Sequence, residues 1–128
     1  MIAYREFSVI KMANITVSKM VKNDVSSLAK IDEKTVGYIG YMVIIGEADI
    51  INIGVLPEYR GLGIGNMLMD AMIDELKKNG ATRVHLEVRK SNVAAISLYK
   101  KYGFIATGVS KNHYKEPTED AIRMNLCL

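Results

Sequence analysis

Apolar and polar positions recur along the chain with two periods, and the switches between them divide it into strands and helices. Residues 14–20 alternate and predict a short strand. After Asn23 or Asp24 as cap, Val25, Leu28, Ala29 and Ile31 follow helical spacing and predict a first helix. Residues 35–45, rich in Val, Ile and Tyr, predict a long strand and Ala48 to Val55 another, with Gly46-Glu47 as a tight antiparallel turn. A glycine-rich loop from Leu56 to Gly65 then opens a helix that runs to about Asn79, where Gly80 closes it. Arg83 to Arg89 alternates strictly, with Val84, Leu86 and Val88 on one face and His85, Glu87 and Arg89 on the other. Asn92 caps a last helix that carries Ala95, Ile96, Tyr99 and Tyr102 on one side and ends at Gly103. Two final strands, Phe104 to Val109 and Ala121 to Leu128, flank a polar loop with Tyr114 and Pro117. Strands and helices in this order predict an α/β or α+β domain with a mixed sheet.

Composition narrows the class. At 128 residues, 49% hydrophobic and 24% charged, the chain reads as one domain, 1–128, with a self-sufficient core. A net charge of +3 suits an anionic ligand. With no Trp, two Phe and scattered basic residues, nothing argues for nucleic acid. Cys127 stands alone, so no internal disulfide forms; it reads as a small apolar residue of the last strand, and no metal site is expected. The longest apolar run, Val36 to Ile45, is too short for a membrane span, and the first dozen residues lack a signal-peptide core; the expected compartment is the cytoplasm. Met67, Met69 and Met72 read as core filling.

Gly61, Gly63 and Gly65 lie between a strand and a helix, where backbone N–H groups and the helix dipole favour phosphate. The same glycines also suit a turn that needs them only for tight geometry. A dinucleotide fingerprint fails in both registers, at Asn66 and at Leu68, and a P-loop fails at Asn66 and Met67. The pattern Arg60-x-x-Gly63-x-Gly65 instead resembles the acetyl-CoA pyrophosphate loop of the GNAT superfamily of N-acetyltransferases.

Three blocks extend that resemblance: Asn52 to Arg60, His85 to Asn92 and Ala95 to Phe104 are similar to the ribosomal-protein alanine N-acetyltransferases, the RimI type. The resemblance implies a GNAT fold with an acetyl-CoA-binding core at 35–128 and an atypical part at 1–34. It implies acetyl-CoA as co-substrate, the backbone of Ile53, Gly54 and Val55 along the thioester and pantetheine, and Arg60 in the loop motif. The amides of Gly61, Leu62, Gly63, Ile64, Gly65 and Asn66 would hold the pyrophosphate, and Asn92 would bind further along the cofactor. Glu87 is similar to the general base and Tyr99 to the general acid. Tyr114, in Asn112-His113-Tyr114, matches an acceptor-contacting tyrosine of a stretch that often reads Asn-Tyr-Tyr; His113 departs from it. The implied acceptor is a protein N-terminus such as a ribosomal protein's, with a lysine, a small amine, or mere acyl-CoA binding as alternatives.

Acetyl transfer to an amine needs the neutral amine, while an α-amino group near ~8 is mostly protonated at neutral pH. Glu87 would take that proton directly or through water, and Tyr99 would assist the departing thiolate. On the residues alone, Glu87 also reads as a solvated strand residue and Tyr99 as a core tyrosine; His85 shares the face of Glu87 and reads as a tuning or packing residue. Relative to the family, the chain is shortened between the predicted first helix and the third strand. Either residues 2–10 supply a replacement strand, or an uncovered sheet edge pairs with a second copy.

Overall fold

The structure is a computed structural model that describes residues 3–12, 15–21, 25–31 and 34–128. The chain runs β1 (Ala3–Met12), β2 (Ile15–Val21), β3 (Val25–Ile31), β4 (Lys34–Ile44), β5 (Glu47–Val55), α1 (Ile64–Lys78), β6 (Arg83–Arg89), α2 (Val93–Lys101), β7 (Ile105–Lys115) and β8 (Thr118–Cys127). All eight strands join one sheet in the order β1-β2-β3-β4-β5-β6-β8-β7. Pairing is antiparallel except between β5 and β6, which α1 connects as a crossover. Strand β8 inserts between β6 and β7, so the last hairpin closes the sheet beside the crossover.

Most predicted elements are present. One is not: residues 25–31, expected as a helix, form β3, and the proposed caps Asn23 and Asp24 lie outside the described residues. Seven residues are too few for a helix to hold itself, and a short apolar set at i, i+3, i+4 does not separate helix from strand. Strand β4 presents a row of backbone donors and acceptors, and β3 satisfies it along Val25↔Tyr41 to Ile31↔Lys34. Buried Ser27 and Ala29 alternate in β3, small enough to lie beneath α1. Strand β1 covers most of residues 2–10, as the replacement-strand expectation required, and β4 is paired rather than an edge; the edge strands are β1 and β7.

The β4–β5 turn centres on Ile45 and Gly46, both at positive φ, one residue earlier than expected. The expected polar loop before the last strand is mostly ladder, since β7 continues to Lys115 and carries Tyr114. Helix α1 buries Leu68, Met69, Met72 and Leu76 completely or nearly so, together with Met67, against β3, β4 and β5. Each such side chain contributes about 1.5–3 kcal/mol of burial, so α1 is fixed by its apolar face. Cys127, expected as an apolar strand residue, is exposed. No helix among the described residues is long and apolar enough to cross a membrane.

Candidate functional site

The site begins where two parallel strands part. Strands β5 and β6 pair from Glu47↔Arg83 to Ile50↔Leu86 and no further. Across β5, the β4 register slips between Gly40↔Asn52 and Tyr41↔Ile50, leaving Ile51 as an extra residue. Such a bulge bends its strand, and here it steers the end of β5 away from β6. The gap is a cleft of about 340 Å³, whose lining includes Ile53, Glu87, Asn92, Tyr99 and Tyr114. Five residues singled out in the sequence, from four separate elements, therefore meet at one opening. Gly54 and Val55 do not line it; they face a neighbouring apolar pocket with Val36 and Tyr38.

Beyond the cleft lies the glycine loop. Arg60 Nε donates to the Val55 carbonyl at 3.1 Å and ties the loop to the end of β5. Gly63 caps α1 with φ 81°, a left-handed conformation that costs a residue with a Cβ about 1–2 kcal/mol. The first helical hydrogen bond runs from Met67 N to Gly63 O at 3.0 Å. The amides of Ile64, Gly65 and Asn66 make no hydrogen bond among the described residues. A helix start with unfilled amides and no side-chain cap is an anion cradle in charge and direction. Helix α2 buttresses this turn: the Tyr102 hydroxyl donates to Asp70 Oδ1 at 2.7 Å and lies 2.8 Å from the Asn66 carbonyl, and Lys101 Nζ donates to Asn66 Oδ1.

Tyr99 is both a core residue and a cleft residue. Its ring is 5% exposed and packs on Phe104 at 5.6 Å between centroids. Its hydroxyl makes no hydrogen bond among the described residues and borders the cleft. Burial, with the nearby Tyr114 adding to it, pushes its pKa up to about 12, so it remains a phenol at neutral pH. Glu87 stands on the polar face of β6, as the alternation requires, while Val84, Leu86 and Val88 are buried. Asn92 acts as the cap of α2, its Oδ1 accepting from Ala95 N at 3.1 Å.

A clamp that sequence reasoning missed holds Tyr114. The Arg89 guanidinium lies over its ring at 4.2 Å, and Nη1 donates to Pro117 O and to Glu119 Oε1 at 3.1 and 3.3 Å. Glu119 also accepts from the Ser91 amide, and the Ser91 and Arg89 contacts hold its carboxyl below the usual range. The signal available in the sequence was the position of Arg89 on the same strand face as Glu87. His85 has a different task from the tuning role considered for it. Nε2 donates to Glu47 Oε1 at 2.7 Å and Nδ1 lies 2.8 Å from Asn125 Oδ1; these bonds, Glu47 first, raise its pKa against a smaller opposing effect of burial. No cluster of metal-ligating residues occurs among the described residues.

Residues 7–104 match the family model described as Acetyltransferase (GNAT) family. The chain belongs to the GNAT acetyltransferase family. A GNAT relative in Escherichia coli strain K12, the ribosomal protein bS18-alanine N-acetyltransferase, is 44% identical over 86 residues, covering 66% of this chain and 58% of its own length. An N-alpha-acetyltransferase of Sulfurisphaera tokodaii is 37% identical over 110 residues, covering 76% of this chain and 65% of its own. The crystal structure of the Escherichia coli ribosomal-protein-S18-alanine N-acetyltransferase superposes with a TM-score of 0.78 at 36% identity, over 84% of this chain and 70% of that one. The chain spans about three fifths of the length of the curated GNAT relatives it matches.

Proposed function

We propose that the protein is an acetyl-CoA-dependent N-acetyltransferase whose acceptor is the α-amino group of a protein N-terminus, an alanine of a ribosomal protein being the substrate named for its relatives. The observation that supports this most is the meeting of Glu87, Tyr99 and Tyr114 in one cleft at the β5–β6 parting, next to a helix start with unfilled amides. The free amides of Ile64 to Asn66 suit a pyrophosphate, and the unpaired edge of β5 at Ile53 suits an extended amide-bearing arm. When bound, acetyl-CoA supplies an acetyl thioester.

Glu87 receives the proton of the acceptor ammonium, directly or through water, and so makes the nitrogen a nucleophile. Tyr99 keeps its proton at neutral pH and donates a hydrogen bond to the departing sulfur. Because its pKa lies above the ~8.5 of a thiol, that donation, rather than ionisation of Tyr99, is what stabilises the leaving group. Tyr114, held from behind by Arg89, packs against the acceptor beside Glu87.

The test is incubation with labelled acetyl-CoA and peptides that differ in their first residues, alongside lysine peptides and small amines. Transfer to free N-termini, with alanine first among them, is expected. Glu87→Gln should lower kcat/KM by about 10²-fold or more with acetyl-CoA affinity retained. Absence of transfer to every amine would leave only an acyl-CoA-binding module.

A further inference from the structure

Glu87 stands on a wall shared by two pockets. One is the cleft with Tyr99; the other, of about 580 Å³, adjoins it, shares Glu87 and Tyr114 with it, and is lined by His113 but not by Tyr99. His113 Nδ1 lies 3.5 Å from Glu87 Oε2, and both side chains are partly exposed, 42% and 39%. Local structure sets this approach. The β7–β8 ladder slips between Ser110↔Ala121 and Tyr114↔Glu119, so residues 111–113 bulge out of register. Asn112 takes φ 53°, and its amide donates to Asp120 Oδ1 at 2.9 Å. The His113 ring then rests edge-on against Tyr114 at 4.9 Å.

The two pockets share Glu87 and Tyr114, and His113, partly exposed beside Glu87, offers a path from that carboxyl to water when the cleft is filled. An imidazole has two ring nitrogens, so it can take a proton at one and release one at the other. We propose that His113 is the proton outlet of Glu87, an inference that rests on the acetyltransferase reading above. The amine proton passes to the Glu87 carboxylate as the N–C bond forms and the C–S bond breaks. The resulting carboxylic acid gives that proton to neutral His113 at Nδ1, and Nε2 releases one to water in the second pocket; exchange with water restores the starting tautomer. His113 does not touch the reacting atoms and acts through Glu87. Asp49 from β5, His85 from β6, Tyr114 from β7 and Arg123 from β8, the last bound to Ser110 Oγ at 2.8 Å, line the same pocket. His85 is not the outlet, since both its nitrogens are engaged by Glu47 and Asn125.

The experiment compares the full chain with His113→Gln, His113→Tyr and His113→Ala, using acetyl-CoA and a synthetic peptide with a free N-terminal alanine. All three variants should lose about tenfold or more in kcat with KM for both substrates nearly unchanged, and should melt like the parent, because the side chain is partly exposed and outside the core. Added imidazole should restore His113→Ala above the enzyme-free rate and leave Glu87→Gln unchanged. Parental kcat in His113→Gln and His113→Tyr would overturn the outlet, as would a folded His113→Ala that imidazole does not rescue. A parent protein that acetylates no amine would overturn the acetyltransferase reading and this inference together; an active parent with unaffected variants removes only this one.

Discussion

Tyr99→Phe separates two roles that meet in one side chain. The ring is buried and packs on Phe104, and phenylalanine keeps that contact. The hydroxyl has no hydrogen-bond partner among the described residues, so its loss removes no folded-state bond; stability should change by less than about 0.5 kcal/mol. For a chain of this size that is a shift in Tm of about 2 °C or less. Turnover should respond differently. A hydrogen bond to a charged group is worth about 1.5–3 kcal/mol, and at 1.36 kcal/mol per decade the variant should lose about 10- to 150-fold in kcat. Affinity for CoA, measured by calorimetry, should stay within about twofold, since uniform binding energy is not what the hydroxyl supplies. Tyr99→Ala calibrates the packing: opening the cavity should cost about 3–5 kcal/mol. Turnover of Tyr99→Phe within threefold of the parent, or melting as low as Tyr99→Ala, would refute the leaving-group role of the hydroxyl.

Two further outcomes follow from the geometry. Gly63→Val should weaken CoA binding at least tenfold by calorimetry, whereas Gly80→Val, at a comparable φ of 77° with open space around it, should lose a similar amount of stability and bind CoA normally; equal affinities in the two variants would remove the anion cradle. His85 has a folded-state pKa raised above its unfolded value of about 6.5, so its stabilising effect is complete below that value and fades as pH rises through the folded one. His85→Gln should therefore flatten the fall in Tm above pH 6.5, and an unchanged Tm–pH curve would mean that the Glu47 and Asn125 contacts are not made in solution.

Much of the site was legible because its signals are local. Asn92 as cap, the strict alternation that puts Glu87 on a polar face, and the glycines that permit a left-handed helix entry all act within a few residues, and each is where the pattern predicts. The helix predicted at 25–31 failed for the opposite reason. Its spacing was compatible with two periods, and a partner strand outside the window decided between them. The clamp of Arg89 on Tyr114 and the approach of His113 to Glu87 depend on β7 and β8, whose register slips no periodicity records.

The chain's own sequence thus determined the element types in the crossover half, the family, and which chemical groups are available, because short-range geometry and side-chain identity are intrinsic to the residues. Only the tertiary structure decided that Val25–Ile31 joins the sheet as a strand, that Tyr99 is buried and yet opens on a cleft, and that Glu87 lines two pockets. Those outcomes turn on backbone groups finding partners far along the chain and on where two strands cease to pair, which are properties of the assembled sheet rather than of any segment in it.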